Sequence, residues 1–261
     1  MTSLIGKTIF ISGSGGVSGK SHVKFFLRQG AKVIATDYAT KSLDTLAEQL
    51  AEHSDNLFVA RLDVSDEAAI SSFFSDIQGH EPNVFINNAA ITGEQLVRLN
   101  EIPGKFADCT LKSWQATLDV NLTSAFLIAR EIDRRFIGNY PCKLINVSSM
   151  YGQFSPHHSI YENRQIKPFP AYTASKAGIH GLTVWLAGYW AGKNATVNTL
   201  SPGGVFNNQD SKLVEAISEL NMMSRMAQPN EISSVLAFLA SDGSDYMTGQ
   251  NVYADGGFSA W

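Results

Sequence analysis

The feature that most restricts this chain is a regular alternation between short apolar runs and longer stretches with helical periodicity. The runs Thr8–Ser12, Lys32–Thr36, Phe58–Asp63, Val84–Asn87, Lys143–Ser148, Thr196–Leu200 and Asn251–Ala254 read as strands. Between them, Gly19–Gln29, Lys41–Glu52, Glu67–Ile77, Trp114–Phe136, Tyr172–Trp190 and Asn230–Ala240 read as helices. In the fourth, Trp114, Leu118, Leu122, Ala125, Ala129, Ile132 and Phe136 share one stripe. Strands too apolar to be half in water, joined by helices, predict an α/β chain whose parallel sheet is covered on both faces. No linker or shift in composition divides residues 1–261, so a single domain is expected. Two long irregular segments, 92–112 and 153–170, interrupt the rhythm and read as binding loops or lids.

Composition narrows the function classes. A net charge of −4 and 44% hydrophobic residues give no general attraction to nucleic acid or to an anionic membrane surface. No apolar run approaches the roughly 18 residues of a membrane span. The first residues lack the pattern of a secretory leader, so a cytoplasmic location is expected. Cys109 and Cys142 lack metal-ligand spacing and are expected as free, buried thiols. The six histidines show no ligand pattern, and no metal is expected.

Two places carry chemistry. The first predicted strand runs into Ser12-Gly13-Ser14-Gly15-Gly16-Val17-Ser18-Gly19-Lys20, which then becomes a helix. Glycines there permit a tight turn and let backbone N–H groups approach a pyrophosphate at the helix N-terminus. Asp37, after the second strand, can accept hydrogen bonds from an adenosine ribose and would repel a 2′-phosphate, favouring NAD(H) over NADP(H). Asp63 and Val64 offer a carboxylate and an N–H near an adenine, or Asp63 simply caps its loop. The second place is Ala171-Tyr172-Thr173-Ala174-Ser175-Lys176-Ala177-Gly178, where a helix puts Tyr172 and Lys176 on one face. A phenol titrates near 10 on its own, and a nearby ammonium is expected to lower it toward the range useful for proton transfer.

With these pieces placed, the whole chain resembles the short-chain dehydrogenase/reductase family, single-domain type. The family's Thr-Gly-x-x-x-Gly-x-Gly reads here Ser12, Gly13, Val17, Gly19, and its Asn-Asn-Ala-Gly segment reads Asn87-Asn88-Ala89-Ala90. Its active-site Asn lies in Asp119-Val120-Asn121-Leu122, and its Ser in Asn146-Val147-Ser148-Ser149-Met150-Tyr151-Gly152. Tyr172 and Lys176 fit its Tyr-x-x-x-Lys pair, followed by Ser201-Pro202-Gly203-Gly204-Val205 and a closing Thr248-Gly249 to Gly257 segment. Of the two serines, Ser149 fits, with Gly152 three residues on, and Ser148 reads as a strand-end hydroxyl bonded to backbone.

The resemblance implies a three-layer Rossmann fold with a mostly parallel seven-stranded sheet, and hydride transfer between a nicotinamide cofactor and a secondary alcohol or ketone. It implies catalysis by Asn121, Ser149, Tyr172 and Lys176, with Asn121 fixing a water in a proton relay. Cofactor contacts are implied for Ser12, Gly13, Gly15, Gly16, Val17, Ser18, Gly19, Asp37, Asp63, Val64, Asn88, Ala89, Ala90, Tyr172, Lys176, Pro202, Gly203, Val205 and Asn207. Several positions depart from the pattern. Val17 replaces a glycine, so either the turn is re-routed through Gly15 and Gly16 or cofactor binding is weakened. Ser12 replaces a Thr, Ser18 an aliphatic residue and Ala90 a glycine, and Asn207 stands where a Thr commonly meets the nicotinamide amide.

The Ser149–Tyr172 interval is longer than the resemblance leads one to expect. The extra segment, Phe154 to Gln165, is expected either to overhang the substrate or to contact another subunit. Its polar residues suit a small polyhydroxylated or anionic substrate touching Ser149, Met150, Tyr151, Tyr161, Arg164 and Gly204. The insertion, Ser201 to Gln209 and the terminal Gly257-Phe258-Ser259-Ala260-Trp261 also resemble a subgroup found with bacterial surface-sugar and flagellin-modification pathways. The alternatives are a 3-oxoacyl reductase using NADPH and a non-catalytic scaffold member. A homotetramer or homodimer is expected through helices 114–137 and 172–190. Trp185, Tyr189 and Trp190 serve there as anchors or as core, and Phe258 to Trp261 pack across a second contact.

Overall fold

Strand β1 (Thr8–Ser12) sends Ile9 and Ile11 to one face of the sheet and Phe10 to the other, and all three are completely buried. That double burial is why the strand reads as a continuous apolar run. The computed structural model describes residues 3–77, 79–101, 105–162, 164 and 167–261. In it β1 pairs with β2 (Lys32–Asp37) on one side and β4 (Val84–Asn87) on the other. With β3 (Leu57–Arg61), β5 (Cys142–Val147), β6 (Ala195–Pro202) and β7 (Asn251–Ala254) they form one seven-stranded parallel sheet, ordered β3-β2-β1-β4-β5-β6-β7. The chain winds outward from β1 in both directions. A crevice therefore opens between β1 and β4 at their C-terminal ends, where ligands of such sheets bind.

Helices cover both faces. On one, α1 (Val17–Arg28) and α9 (Pro229–Ala240) pack Val23, Phe26, Ile232 and Leu236 against Ile9 and Ile11. On the other, α3 (Glu67–Asp76), α6 (Ser124–Arg135) and α7 (Pro170–Tyr189) close over Phe10 and Phe85. Aromatic rings fill that second layer, with centroids 5.1 Å apart for Phe10–Phe74 and for Phe85–Phe136. Trp190 is 1% exposed and donates its indole N–H to Asp133 at 2.9 Å, so it belongs to the core and anchors no interface.

The strands fall within two residues of expectation, and two helical readings change. The stretch expected as one helix over Trp114–Phe136 begins earlier, as α5 (Leu111–Leu118), and passes through a π-type turn at Asp119–Thr123 before α6. The stretch Lys41–Glu52 becomes α2 (Thr40–Gln49) followed by a 3-10 segment, Ala51–Asn56. The two irregular segments also hold structure. Thr92 and Gln95 form a reciprocal cap that starts α4 (Gly93–Arg98), and a 3-10 turn spans His158–Tyr161. Residues 102–104, 163, 165 and 166 of those segments lie outside the described residues. A further helix, α8 (Ser211–Glu219), starts at Asp210, whose carboxylate accepts the Leu213 N–H at 3.1 Å. No helix among the described residues is long and apolar enough to cross a membrane.

Candidate active site

The loop after β1 turns at Gly13, the one residue of Ser12–Lys20 with a positive φ, at 69°. A Cβ on Gly13 would sit 2.7 Å from the Ala89 Cα, and one on Gly19 would sit 2.2 Å from the Gly13 carbonyl oxygen. The first helical turn of α1 thus lies directly against the strand-end turn. Val17 opens α1 with ordinary backbone and is 49% exposed. No left-handed conformation is needed there, so the backbone accepts the β-branched residue. Gly16 caps α1 without a side-chain hydrogen bond, which leaves the first N–H groups of the helix facing the crevice.

Several expected cofactor contacts turn out to brace the loop. Ser12 is 1% exposed, and its hydroxyl accepts the N–H groups of Asn88 and Ala89, each at 3.1 Å. The Asn88 side-chain amide donates back to the carbonyls of Ser12 and Gly13 at 3.0 and 3.2 Å. These two side chains join the turns after β1 and β4. Asp37 accepts the Gly15 N–H and the Ala39 N–H, both at 2.9 Å. Its carboxylate stands at the C-terminal end of β2 beside the glycine turn. Asp63 accepts the N–H and hydroxyl of Ser65, the loop-capping alternative, and the Val64 side chain lies in the core. Ser18, Ala89 and Ala90 are half-buried along the same edge.

Beyond β6, Pro202 is buried and Gly203 passes so close to Asp255 that a Cβ would sit 2.7 Å from its Cα. Gly204 packs on Ile217 of α8, Val205 bridges to Ala227, and the Asn207 N–H donates to the Gln209 side chain. This segment forms the wall opposite the glycine turn.

At the end of β5 the chain reaches Ser148 and Ser149. The Ser148 hydroxyl donates to the Lys176 carbonyl at 2.8 Å, so it is bound to backbone, of α7 rather than of its own strand. A Cβ on Gly152 would sit 2.8 Å from the same carbonyl. The small residue lets the loop after β5 lie against α7, which brings Ser149 beside Tyr172. The Ser149 hydroxyl is near enough to the Tyr172 phenol to pull its titration down. Met150 is buried beneath, and Tyr151 shares a 3.2 Å hydroxyl contact with Tyr161 of the insertion.

The Tyr172–Lys176 pair departs from expectation in one respect. The Lys176 ammonium donates to the Val147 carbonyl at 2.7 Å and lies 5.9 Å from the centre of the Tyr172 ring. Burial pushes the phenol above its ordinary value, against a smaller downward pull from the Ser149 hydroxyl. Burial also pulls the ammonium down to about 8. Desolvation acts on both partners and outweighs the lowering of the phenol expected from spacing.

Asn121 sits in the π-type turn, 3% exposed. Its side chain accepts the Ile91 N–H at 2.7 Å and donates to the Ile91 carbonyl at 3.2 Å and the Ser175 hydroxyl at 3.1 Å. It ties the segment after β4 to α7 one residue before Lys176. Both polar atoms of the side chain are engaged by protein, so it clamps α7 to the segment after β4.

Arg164 is also reassigned. Its guanidinium pairs with the Asp210 carboxylate, and its Nε donates to the Ile160 carbonyl at 3.0 Å. The side chain straps the insertion to the start of α8 instead of reaching out for an anionic substrate. Phe258 packs its ring on Tyr151, Phe154 and His157 of the same chain, with centroids 6.1 to 6.2 Å apart. Trp185 and Tyr189 are 60% and 48% exposed and stacked at 4.9 Å on the outer face of α7.

A glycine turn under an uncapped helix N-terminus, an acidic strand end, and a Ser–Tyr–Lys cluster at the crevice mouth define a nicotinamide-type oxidoreductase site. The family model described as enoyl-(acyl carrier protein) reductase matches residues 16–259. The 3-oxoacyl-(acyl-carrier-protein) reductase of Thermotoga maritima is 32% identical, over 97% of this chain and 98% of its own. The galactitol 2-dehydrogenase (L-tagatose-forming) of Cereibacter sphaeroides is 28% identical, over 99% and 97%. The post-translational flagellin modification protein A of Campylobacter coli is 28% identical, over 97% and 98%. Among solved structures, a gluconate 5-dehydrogenase from Burkholderia cenocepacia, in complex with NADP and tartrate, superposes with a TM-score of 0.85. It is 23% identical and the match covers 100% of this chain and 98% of that one. The chain belongs to the short-chain dehydrogenase/reductase family.

The close approach at Gly19 generates a direct test. Gly19→Ala should weaken NADH binding, read by fluorescence titration, by at least about tenfold while far-UV circular dichroism stays unchanged. An unaltered affinity would show that the turn is not the cofactor cradle.

Proposed function

We propose that the protein is an NAD(H)-dependent dehydrogenase of a small polyhydroxylated substrate, interconverting a secondary alcohol and a ketone. The observation that carries this reading is the buried Lys176 ammonium 5.9 Å from the Tyr172 ring, on a helix packed against the Ser148–Ser149 strand end. The residues around the crevice fit a dinucleotide. The free N–H groups of α1 suit a pyrophosphate, and glycine at 13 and 15 lets the turn lie tight against Ala89 and Asp37. When bound, the nicotinamide supplies hydride acceptance or donation, and that chemistry is its own.

This chain's residues handle the proton and the orientation. Tyr172 gives its proton to the ketone oxygen during reduction and, in its deprotonated form, takes the alcohol proton during oxidation. Ser149 donates a hydrogen bond to the same oxygen and holds it in place. Lys176, cationic below about pH 8, faces the negative charge that Tyr172 develops as it releases its proton. Asn121 keeps α7 registered against the segment after β4.

The sugar-like substrate is supported by the galactitol dehydrogenase relative and by the hydroxyl-bearing insertion over the site. The 3-oxoacyl reductase reading is supported by the Thermotoga relative and by the family description. Asp37 favours NAD(H), since a carboxylate at the end of β2 repels a 2′-phosphate. The exposed aromatic face of α7 supports a homodimer or homotetramer.

Two measurements test this reading. Tyr172→Phe should lower turnover at least about a hundredfold with NADH binding retained, and near-wild-type turnover would remove the tyrosine from proton transfer. With a panel of polyols, aldoses and 3-oxoacyl thioesters followed at the nicotinamide absorbance, kcat/KM should be at least about tenfold higher with NAD(H) than with NADP(H). A preference for NADPH with the thioesters would replace the sugar reading by the reductase one.

A further inference from the structure

Tyr151 and Tyr161 come from different segments, the loop after β5 and the 3-10 turn of the insertion, and meet hydroxyl to hydroxyl at 3.2 Å. Tyr172 is near enough to both that a charge on one phenol disfavours a charge on its neighbour. The Tyr151–Tyr161 pair therefore lies near Tyr172, and only Tyr172 is needed for the proton. Burial raises Tyr151 and Tyr161 above their ordinary values, so both stay neutral across the working pH range.

The hydrogen count of this pair is informative. Two hydroxyls carry two hydrogens, and one of these closes the contact between them. The described residues provide no acceptor for the second. The pair thus keeps one spare donor and free lone pairs. A substrate hydroxyl, which both accepts and donates, satisfies that set completely. A methylene leaves the spare donor unpaired in a half-buried site, which is disfavoured. A carboxylate takes the donor and offers no hydrogen in return.

The pair is also held rigid. Arg164, three residues beyond Tyr161, is strapped to the Asp210 carboxylate and to the Ile160 carbonyl. The Tyr151 ring packs edge-on against Phe258 at 6.2 Å between centroids. Preorganised polar groups discriminate better than mobile ones.

We propose that Tyr161 and Tyr151 form a specificity site for a hydroxyl on the carbon adjacent to the reacting one, so that the substrate is a vicinal diol and the product an α-hydroxyketone. This rests on the assignment of Ser149 and Tyr172 to the reacting oxygen. The reaction balances as diol plus NAD⁺ giving hydroxyketone, NADH and a proton. The adjacent hydroxyl is bound and left unchanged.

The test compares 2,3-butanediol with 2-butanol, a matched pair differing in that one hydroxyl, as substrates of the full-length protein with NAD⁺. Galactitol serves as a larger polyol. The wild type should favour the diol in kcat/KM by at least about tenfold, and Tyr161→Phe should remove most of that preference. A wild type indifferent to the second hydroxyl would overturn the proposal, whatever the variant's folding. So would an equal fall on both alcohols in Tyr161→Phe with the preference intact, since that marks a purely structural residue. Tyr151→Phe, judged by the same ratio, should lower the preference too, and an unchanged ratio in both variants would overturn the pairing. Turnover of 2-butanol without a diol preference would leave the dehydrogenase reading standing alone. Absence of turnover with every alcohol would overturn that reading and this proposal together.

Discussion

An ammonium held 2% exposed at the end of a strand is the constraint around which this site is built. Taking the Lys176 charge out of water is unfavourable, and the single named hydrogen bond to the Val147 carbonyl offsets part of that penalty. The contact exists only because α7 lies tightly against the C-terminal end of β5. Ser148 bonds the Lys176 carbonyl, and Gly152 leaves no side chain in the way. Asn121 holds the helix from the other side through Ser175. Loosening any of these would let water reach the ammonium and return it toward its ordinary titration.

The sheet makes the arrangement useful. Because the strand order reverses at β1, the turns after β1 and β4 face each other across a crevice, and β5 stands one strand further along. Ser12 and Asn88 lock the two turns together, which fixes the distance between the dinucleotide end and the Ser149–Tyr172 end. The insertion closes over the latter, carried by an ion pair to α8. The cradle and the proton-transfer group are thus set by backbone-to-side-chain hydrogen bonds. The substrate side is set by a loop.

How much of this the chain's sequence disclosed depends on range. Central strands buried on both faces announce themselves as apolar runs, and the half-buried edge strands β3 and β7 are found beside them. The Tyr172–Lys176 spacing on α7 and the Gly13–Gly19 turn are equally local. The caps at Thr92 and Asp210 that open α4 and α8 are local patterns of the same kind. What escaped is what burial and distant partners decide. Nothing near Arg164 points to Asp210, 46 residues away. Nothing near Ser12 shows that Asn88 will engage its hydroxyl. The direction of the Tyr172 shift is of the same kind, since spacing brings the ammonium close and only the packed fold shows that desolvation is larger.

The account stands on the desolvated lysine, and the pH dependence of ketone reduction by NADH reads it most directly. The Lys176 titration lies below its unfolded value of 10.5, at about 8, so the ammonium is present under that pH and is lost as pH rises through it. Tyr172, raised by burial, keeps its proton over the same interval. The reduction rate should therefore fall in a single step centred near pH 8. A rate that stays flat to about pH 10 would contradict it, because a solvated lysine titrates only there.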